Sequence, residues 1–448
     1  PMCGLARLLE MMDDLRDKRV TLMGLGLFGG GAGATQMLCK MGADVMVTDL
    51  RDEETLSASL ERIEGLDVRY RLSGHEEQDF TGADLVVANP AVPRDNAYLK
   101  AAYSAGVPVT SPMNIFLALC PARVAAVTGS NGKSTTTSML HRILQCTGRK
   151  VWLGGNIGIS LLPSLDRIAE DDIVVLELSS FQLTDAVWLQ RSPHVAVVTN
   201  ICPNHLDRHG TMQGYERAKR AIVEFQGPGD RAVLNACDER LMRWVRDLTA
   251  DVMYFNSEPH PGNISRGMNL MGERLVWHDA DSHEVICTVE DLPLQGRFNA
   301  ENAMAAATAA RCMGATREHV RQGLSQFHGL PHRLELVGES GGVRFFNDSF
   351  STTPDSTIAA LESFRGAMAL IAGGYDKELE IDELARVVAR RTEVLVTIGQ
   401  TGPELAQKVR AASAAAGRNV LIREMETLEN AVVEAESHTI PGLSVLRS

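Results

Sequence analysis

No two of the eight cysteines form a C-x-x-C pair; they stand at 3, 39, 120, 146, 202, 237, 287 and 312. That scatter fits neither a zinc site nor a disulfide framework, and it predicts reduced thiols in a cytosolic protein. Aromatic residues are scarce at 5%, which leaves little material for base-stacking platforms. Positive charge falls short of negative, 44 Lys and Arg against 57 Asp and Glu, and a net charge of −13 repels a phosphate backbone as a whole. A nucleic-acid partner is therefore not expected. Long hydrophobic runs are missing too: the start, PMCGLARLLEMMDD, meets an acid by Glu10. Neither a signal peptide nor a membrane span is predicted, and a cytoplasmic protein with no membrane partner is expected.

Glycine, in contrast, is abundant, and much of it gathers in two turns. The central stretch is AAVTGSNGKSTTTS at 125–138. Residues 124–128 are apolar and partly β-branched, which predicts a buried strand, and 129–134 break it before a run that can open a helix. Strand, glycine turn and helix make a phosphate cradle. Backbone N–H groups and the positive end of the helix dipole face the anion, Lys133 adds a point charge, and the Ser134 hydroxyl can ligate Mg²⁺. Gly129, Ser130, Asn131, Gly132, Lys133, Ser134 and Thr135 are thus candidate contacts for ATP or GTP. The strict pattern places a glycine at Val127, so this is the shortened form G-x-x-G-K-S.

The earlier turn follows a strand predicted over 19–23. Gly24, Gly26 and Gly29 complete G-x-G-x-x-G, and Asp49 stands at the end of a second strand over 44–48. The pattern fits a dinucleotide, and equally some other diphosphate, because the geometry selects a pyrophosphate and says little about what hangs on each end. An NAD-dependent oxidoreductase is the alternative built on this turn, and it leaves the second cradle unexplained. Gly30, Gly31 and Gly33 cost helix propensity where a helix should start, which points to close backbone approach.

Apolar strands alternate with helical stretches along the chain, at 83–88, 108–109, 173–178, 195–199, 367–372, 394–399 and 419–423. This predicts an α/β protein with parallel sheets. Three domains are expected, 1–111, 112–328 and 329–448, in line with about one per ~150 residues. Open parallel sheets bind ligands at the carboxyl ends of their strands, which places Glu177 and His205 for Mg²⁺. Taken singly, they read as a satisfied buried carboxylate and a helix cap. Asn299 and Asn302 lie three apart on one face of an alanine-rich helix over 295–311.

TGSNGKST, GGNIG, ELSSFQL, NHLDRH with YERAK, GRFNAENA, GLPHR and NDS, in this order, resemble the ATP-dependent Mur ligases of peptidoglycan synthesis. GLGLFG resembles the UDP-binding domain of the glutamate-adding members. The resemblance implies an N-terminal Rossmann-like domain for a UDP-sugar, a central P-loop ATPase-like parallel sheet for ATP, and a C-terminal Rossmann-like domain for glutamate. It implies addition of D-glutamate to UDP-N-acetylmuramoyl-L-alanine through an acyl phosphate, by a monomer, with an L-glutamate-adding relative as the alternative. A module that binds both ligands and makes no amide is a third reading.

By the same resemblance, Lys133 and Ser134 hold the β- and γ-phosphates and a first Mg²⁺, and Glu177 and His205 bind metal. Lys219 matches the lysine that becomes carbamylated to serve a second Mg²⁺; otherwise it is a solvated helix lysine whose loss leaves the fold intact. Asn299 and Asn302 would meet the adenine, Asp348 the ribose and Arg333 the phosphates. Gly26, Leu27, Phe28, Asp49 and Arg51 correspond to uridine and diphosphate contacts, Asn156 to the substrate-side loop, and Thr352 and Lys377 to glutamate contacts. Two departures stand out. Phe350 occupies the place of a lysine after NDS, and the chain stops at PGLSVLRS, where the family pattern implies a further segment that closes over glutamate.

Overall fold

A computed structural model describes the chain except for residues 1–3, 28, 158–159, 257–265, 280–281, 295, 352–353, 365, 367 and 376–379. Phe28, Thr352 and Lys377 fall outside the described residues. The chain divides into two units, 1–289 with 302–324, and 290–301 with 325–448.

The first unit holds two sheets. β1 (Arg19–Met23), β2 (Asp44–Thr48), β3 (Val68–Arg71), β4 (Leu85–Ala88) and β5 (Val109–Thr110) are all parallel, in the order β3-β2-β1-β4-β5. Strand order reverses between β1 and β4, so the glycine turn leaving β1 opens at the switch point. The second sheet contains β6 (Arg123–Thr128), β7 (Val151–Gly155), β8 (Ile173–Glu177), β9 (Val195–Val198), β10 (Arg231–Asn235), β11 (Asp251–Asn256), β12 (Arg266–Met271), β13 (Arg274–Asp279) and β14 (Ser282–Thr288). Its order is β14-β13-β12-β11-β10-β9-β6-β8-β7. β6 therefore lies between β8 and β9, and the central cradle opens between their carboxyl ends. The interior strands are buried along nearly their whole length, as strands covered on both faces must be.

The central sheet is parallel from β7 through to β12, as expected, and carries an antiparallel edge beyond it. β12, β13 and β14 pair antiparallel, because the Met271–Arg274 connection is a tight turn with Gly272 at φ 61°.

The second unit contains β15 (Glu335–Ser340), β16 (Val343–Asn347), β17 (Met368–Ala372), β18 (Thr392–Thr397), β19 (Leu421–Glu424) and β20 (Ser444–Arg447). Its order is β15-β16-β20-β17-β18-β19, parallel except for the β15–β16 pair. β20 sits between β16 and β17, a placement that strand alternation alone does not reveal. The predicted α/β class with three sheet-bearing domains is the architecture observed. No helix among the described residues is long and apolar enough to cross a membrane.

Candidate active site

The cradle forms because two glycines take backbone that other residues resist. Gly129 has φ 150°, and a Cβ there would stand 1.8 Å from Thr199 Oγ1; Gly132 has φ 79°, and its Cβ would stand 2.3 Å from Asn302 Oδ1. The turn is then tied to the end of β9. Ser130 N donates to Asn200 O at 2.9 Å, Asn131 N to Asn200 Oδ1 at 3.0 Å, and Thr199 Oγ1 to Asn131 O at 2.6 Å. The helix Lys133–Gln145 starts directly after Gly132, and Lys133 Nζ reaches back to Ser130 O at 2.9 Å. Ser134 is half-buried and Thr135 buried in its first turn. Asn302 belongs to this frame: its Oδ1 accepts from Thr136 Oγ1 at 3.2 Å.

Glu177 ends β8 fully buried. Asn156 Nδ2 donates to its Oε1 at 2.8 Å and Asn156 N to its carbonyl at 2.8 Å. Gly155 permits that approach, since a Cβ there would lie 2.2 Å from Glu177 O. The second carboxylate oxygen, Oε2, is buried with no hydrogen-bond partner. A buried oxyanion so placed is costly unless a cation or donor meets it.

Lys219 corrects the picture of a solvated helix lysine. It is 1% exposed, and Nζ donates to Gly129 O at 2.7 Å and Thr128 Oγ1 at 3.2 Å, 4.8 Å from the Tyr215 ring centroid. Burial first, and the Lys133 charge second, push its ammonium well below the ordinary lysine range, against the opposing influence of Cys202 and Glu177. A lysine so held has access to its neutral, nucleophilic form. Tyr215 is buried as well. Its hydroxyl lies 3.0 Å from Ser130 Oγ, and burial pushes its pKa up to about 12, so it stays a phenol.

His205 is exposed and sits at φ 52°, the N-cap position of Leu206–His209, but makes no side-chain cap hydrogen bond, so the helix-cap role does not describe its ring. Instead the ring packs 5.1 Å from that of Phe181, in the first turn of Ser180–Leu189. Among the described residues, no group of three or more His, Cys, Asp or Glu side chains forms a ready metal cage.

At the first glycine turn, Gly26 N donates to Asp49 Oδ2 at 3.1 Å and Arg51 N to Asp49 Oδ1 at 3.0 Å. The Arg51 guanidinium lies 3.6 Å from the same carboxylate and Leu27 is exposed. Asp49 thus organises the turn from below. Asn89, just after β4 and not among the residues expected at the site, donates from Nδ2 to Gly24 O at 3.2 Å. Asn200 and Tyr215 were also missed as site residues: Tyr215 opens YERAK, and Asn200 directly follows the strand predicted over 195–199.

In the second unit, Asp348 is buried and accepts from Leu334 N at 3.0 Å and Ser351 Oγ at 2.5 Å. Burial pushes its carboxyl up, partly opposed by those hydrogen bonds and by Arg333. The Arg333 guanidinium lies 5.4 Å from the Phe350 ring centroid, which gives the residue in the expected lysine's place a definite contact. Asn299, buried, also belongs to this unit.

Three family domains match the chain in order. They are the MurD-like N-terminal domain of Mur ligases over 18–111, the Mur ligase middle domain over 127–310, and the Mur ligase glutamate ligase domain over 332–446. A Roseiflexus protein named UDP-N-acetylmuramoylalanine–D-glutamate ligase is 42% identical over 441 residues, 97% of this chain and 94% of its own. The chain belongs to the Mur ligase family. This Mur ligase is also 38% identical over 444 residues to the Acetivibrio thermocellus protein of the same name, covering 99% and 93% of the two chains.

Among solved structures it resembles the UDP-N-acetylmuramate-alanine ligase MurC of Thermotoga maritima, with TM-score 0.61, 18% identity, and 96% and 95% of the chains covered. The MurF ligase of Thermotoga maritima in complex with ADP gives TM-score 0.58 at 18% identity, covering 97% and 92%. These structures establish the shared fold. The Mur ligase described here is an ATP-dependent, ADP-forming amide ligase, as its family is.

Proposed function

We propose that this Mur ligase adds D-glutamate to the carboxyl group of UDP-N-acetylmuramoyl-L-alanine, in the cytoplasm and as a monomer. Residues 1–111 take the UDP-sugar, 112–328 take ATP, and 329–448 take glutamate. The observation that carries the reading is the buried, unpartnered Oε2 of Glu177 in the same unit as a complete phosphate cradle and a buried lysine. The name shared by relatives at 42% and 38% identity supplies the substrates.

A carboxylate is a poor electrophile, so its oxygen first attacks the ATP γ-phosphorus, the bond to ADP breaks, and an acyl phosphate results. The glutamate amine then attacks the acyl carbon, phosphate leaves, and the amine loses its proton. Both steps concentrate negative charge, and fixed cations and dipoles stabilise it. Lys133 and the turn N–H groups hold the β- and γ-phosphates. Arg333 and Asp348 serve the phosphates and ribose, Asn299 and Asn302 the adenine side, and Thr352 and Lys377 the glutamate. Gly26, Leu27, Phe28, Asp49 and Arg51 hold the UDP moiety, with Asn156 on the substrate side.

Ser134 would hold a first Mg²⁺ and Lys219 a second, with Glu177 and His205 contributing to metal binding. The fit rests on the orphaned Glu177 oxygen and on the neutral form open to Lys219. Mg²⁺, when bound, offsets the phosphate charge; Ser134, Glu177 and the carbamate of Lys219 would supply hard oxygen ligands and His205 a ring nitrogen. For Lys219 to join that set, its neutral amine adds to CO₂, a C–N bond forms and a proton leaves, so a donor becomes an anionic oxygen acceptor. Phosphate release that needs ATP, UDP-N-acetylmuramoyl-L-alanine and D-glutamate together is the expected assay result. Equal release without the UDP-sugar would overturn the reading.

A further inference from the structure

Arg208 stands in none of the roles above, yet from within NHLDRH it touches both ELSSFQL and the loop that leaves β4. From Leu206–His209 it donates through Nη1 to Ala91 O at 2.9 Å and through Nη2 to Pro90 O at 3.2 Å. Its guanidinium also lies 5.4 Å from the Phe181 ring centroid. The ring of Phe181 carries His205 at 5.1 Å and His209 at 5.5 Å, the latter stacked, and His209 Nε2 lies 3.0 Å from Ser180 Oγ. Phe181 itself stands four residues after Glu177, which ends β8, at the start of Ser180–Leu189.

The other end of the tether is the loop over 89–94. It starts on the first glycine turn, where Asn89 donates to Gly24 O at 3.2 Å, and it ends in Arg94, whose Nε donates to Asp185 Oδ1 at 2.6 Å. Asp185 lies fully buried in the Phe181 helix. The loop under the UDP site is thus clamped at one end by the Phe181 helix and at its middle by the His205 segment. The central clamp uses two backbone carbonyls, which carry no side-chain information and need a forked donor to be held at once.

We propose that Arg208 is a positioning residue that couples occupancy of the UDP-sugar site to the placement of His205. The inference rests on the UDP-sugar reading of the first glycine turn. Contiguous contacts on both sides of the guanidinium carry the coupling: the loop cannot shift without pulling Arg208, and Arg208 cannot shift without moving across the Phe181 face on which His205 rests. By linkage, Mg²⁺ and the UDP-sugar then tighten each other by one factor.

The test is equilibrium binding of UDP-N-acetylmuramoyl-L-alanine by calorimetry, with a non-hydrolysable ATP analogue saturating, with and without Mg²⁺. The parent enzyme is expected to bind the sugar roughly 5-fold tighter or more with Mg²⁺. R208K keeps the charge and loses the fork, so its Kd is expected to become insensitive to Mg²⁺, while the ATP analogue binds as in the parent. F181L removes the platform and leaves the tether: it should lose the Mg²⁺ effect yet keep the Mg²⁺-free sugar affinity, which tests the idea even where R208K folds poorly. A merely structural Arg208 would weaken sugar binding equally with and without Mg²⁺, and that result overturns the proposal. Failure of the parent to bind the UDP-sugar at all overturns instead the functional reading beneath it.

Discussion

Asn156 Nδ2 donates to Oε1 of Glu177 at 2.8 Å and leaves Oε2 of the same carboxylate buried without a hydrogen-bond partner. The pair sets the orientation of the carboxylate, and the free oxygen marks where a cation would be stabilised. Glu177→Gln removes that anionic oxygen while keeping size. Activity is expected to fall at least ~100-fold, the scale on which single electrostatic contacts act in a water-poor site, with the melting temperature unchanged or raised because a buried unpaired oxyanion is gone. Turnover within twofold of the parent would remove Glu177 from the chemistry.

Lys219 gives a prediction with a sign in pH. Its folded-state pKa is depressed below the ordinary 10.5, so the unfolded chain binds the extra proton and native stability rises with pH across that window. Lys219→Met removes the protonation cost. In CO₂-depleted buffer the variant should melt higher than the parent at neutral pH, and the difference should shrink as pH climbs toward 10.5. A constant difference from pH 7 to 10 would contradict the depressed value.

The same residue tests the carbamate. Lys219→Ala should be inactive and regain part of its turnover with formate or acetate, whose oxygens replace the missing ligand, while Lys219→Arg should stay inactive because guanidinium keeps its proton and adds no CO₂. An active Lys219→Arg enzyme would show that charge or packing is what matters there.

How far such residues can be read from sequence depends on the range of the contact. The two glycine turns are local, strand then turn then helix, and were legible. Burial of Lys219 also had a local signal: Tyr215, Ala218, Lys219 and Ile222 fall at i, i+3, i+4 and i+7, the apolar stripe of Met212–Glu224. The charged run ERAKR hides it. Arg208 with Pro90 and Ala91, or Arg94 with Asp185, join positions about a hundred residues apart, and no pattern in the chain announces such pairs. The β12–β14 edge was not read from the sequence, since β12 and β13 are buried in runs rather than in alternation, and insertion of β20 between β16 and β17 depends on pairing between strands far apart in the chain.

Gly132→Ala tests the cradle. At φ 79°, with a Cβ 2.3 Å from Asn302 Oδ1, alanine strains the backbone and displaces the asparagine. ATP affinity is expected to drop at least ~10-fold, about 1.4 kcal/mol, with binding of the UDP-sugar unchanged. Calorimetry with both ligands checks it, and an unaltered ATP Kd would deny that this turn holds the phosphates.

Asp49→Asn leaves an amide where two backbone N–H groups need acceptors, so one of Gly26 N and Arg51 N must face a donor. Loss of a charged acceptor costs about 1.5–3 kcal/mol. The KM for the UDP-sugar should rise roughly tenfold or more while the KM for ATP stays put; a rise in the ATP value alone would contradict the assignment of the first turn.

The most direct measurement is the mass of the UDP-sugar after incubation with ATP, Mg²⁺ and one glutamate enantiomer at a time. The account predicts that UDP-N-acetylmuramoyl-L-alanine gains one glutamyl residue with D-glutamate, with one ADP formed per product and no gain with L-glutamate. An unchanged UDP-sugar, or an equal gain with L-glutamate, would contradict it.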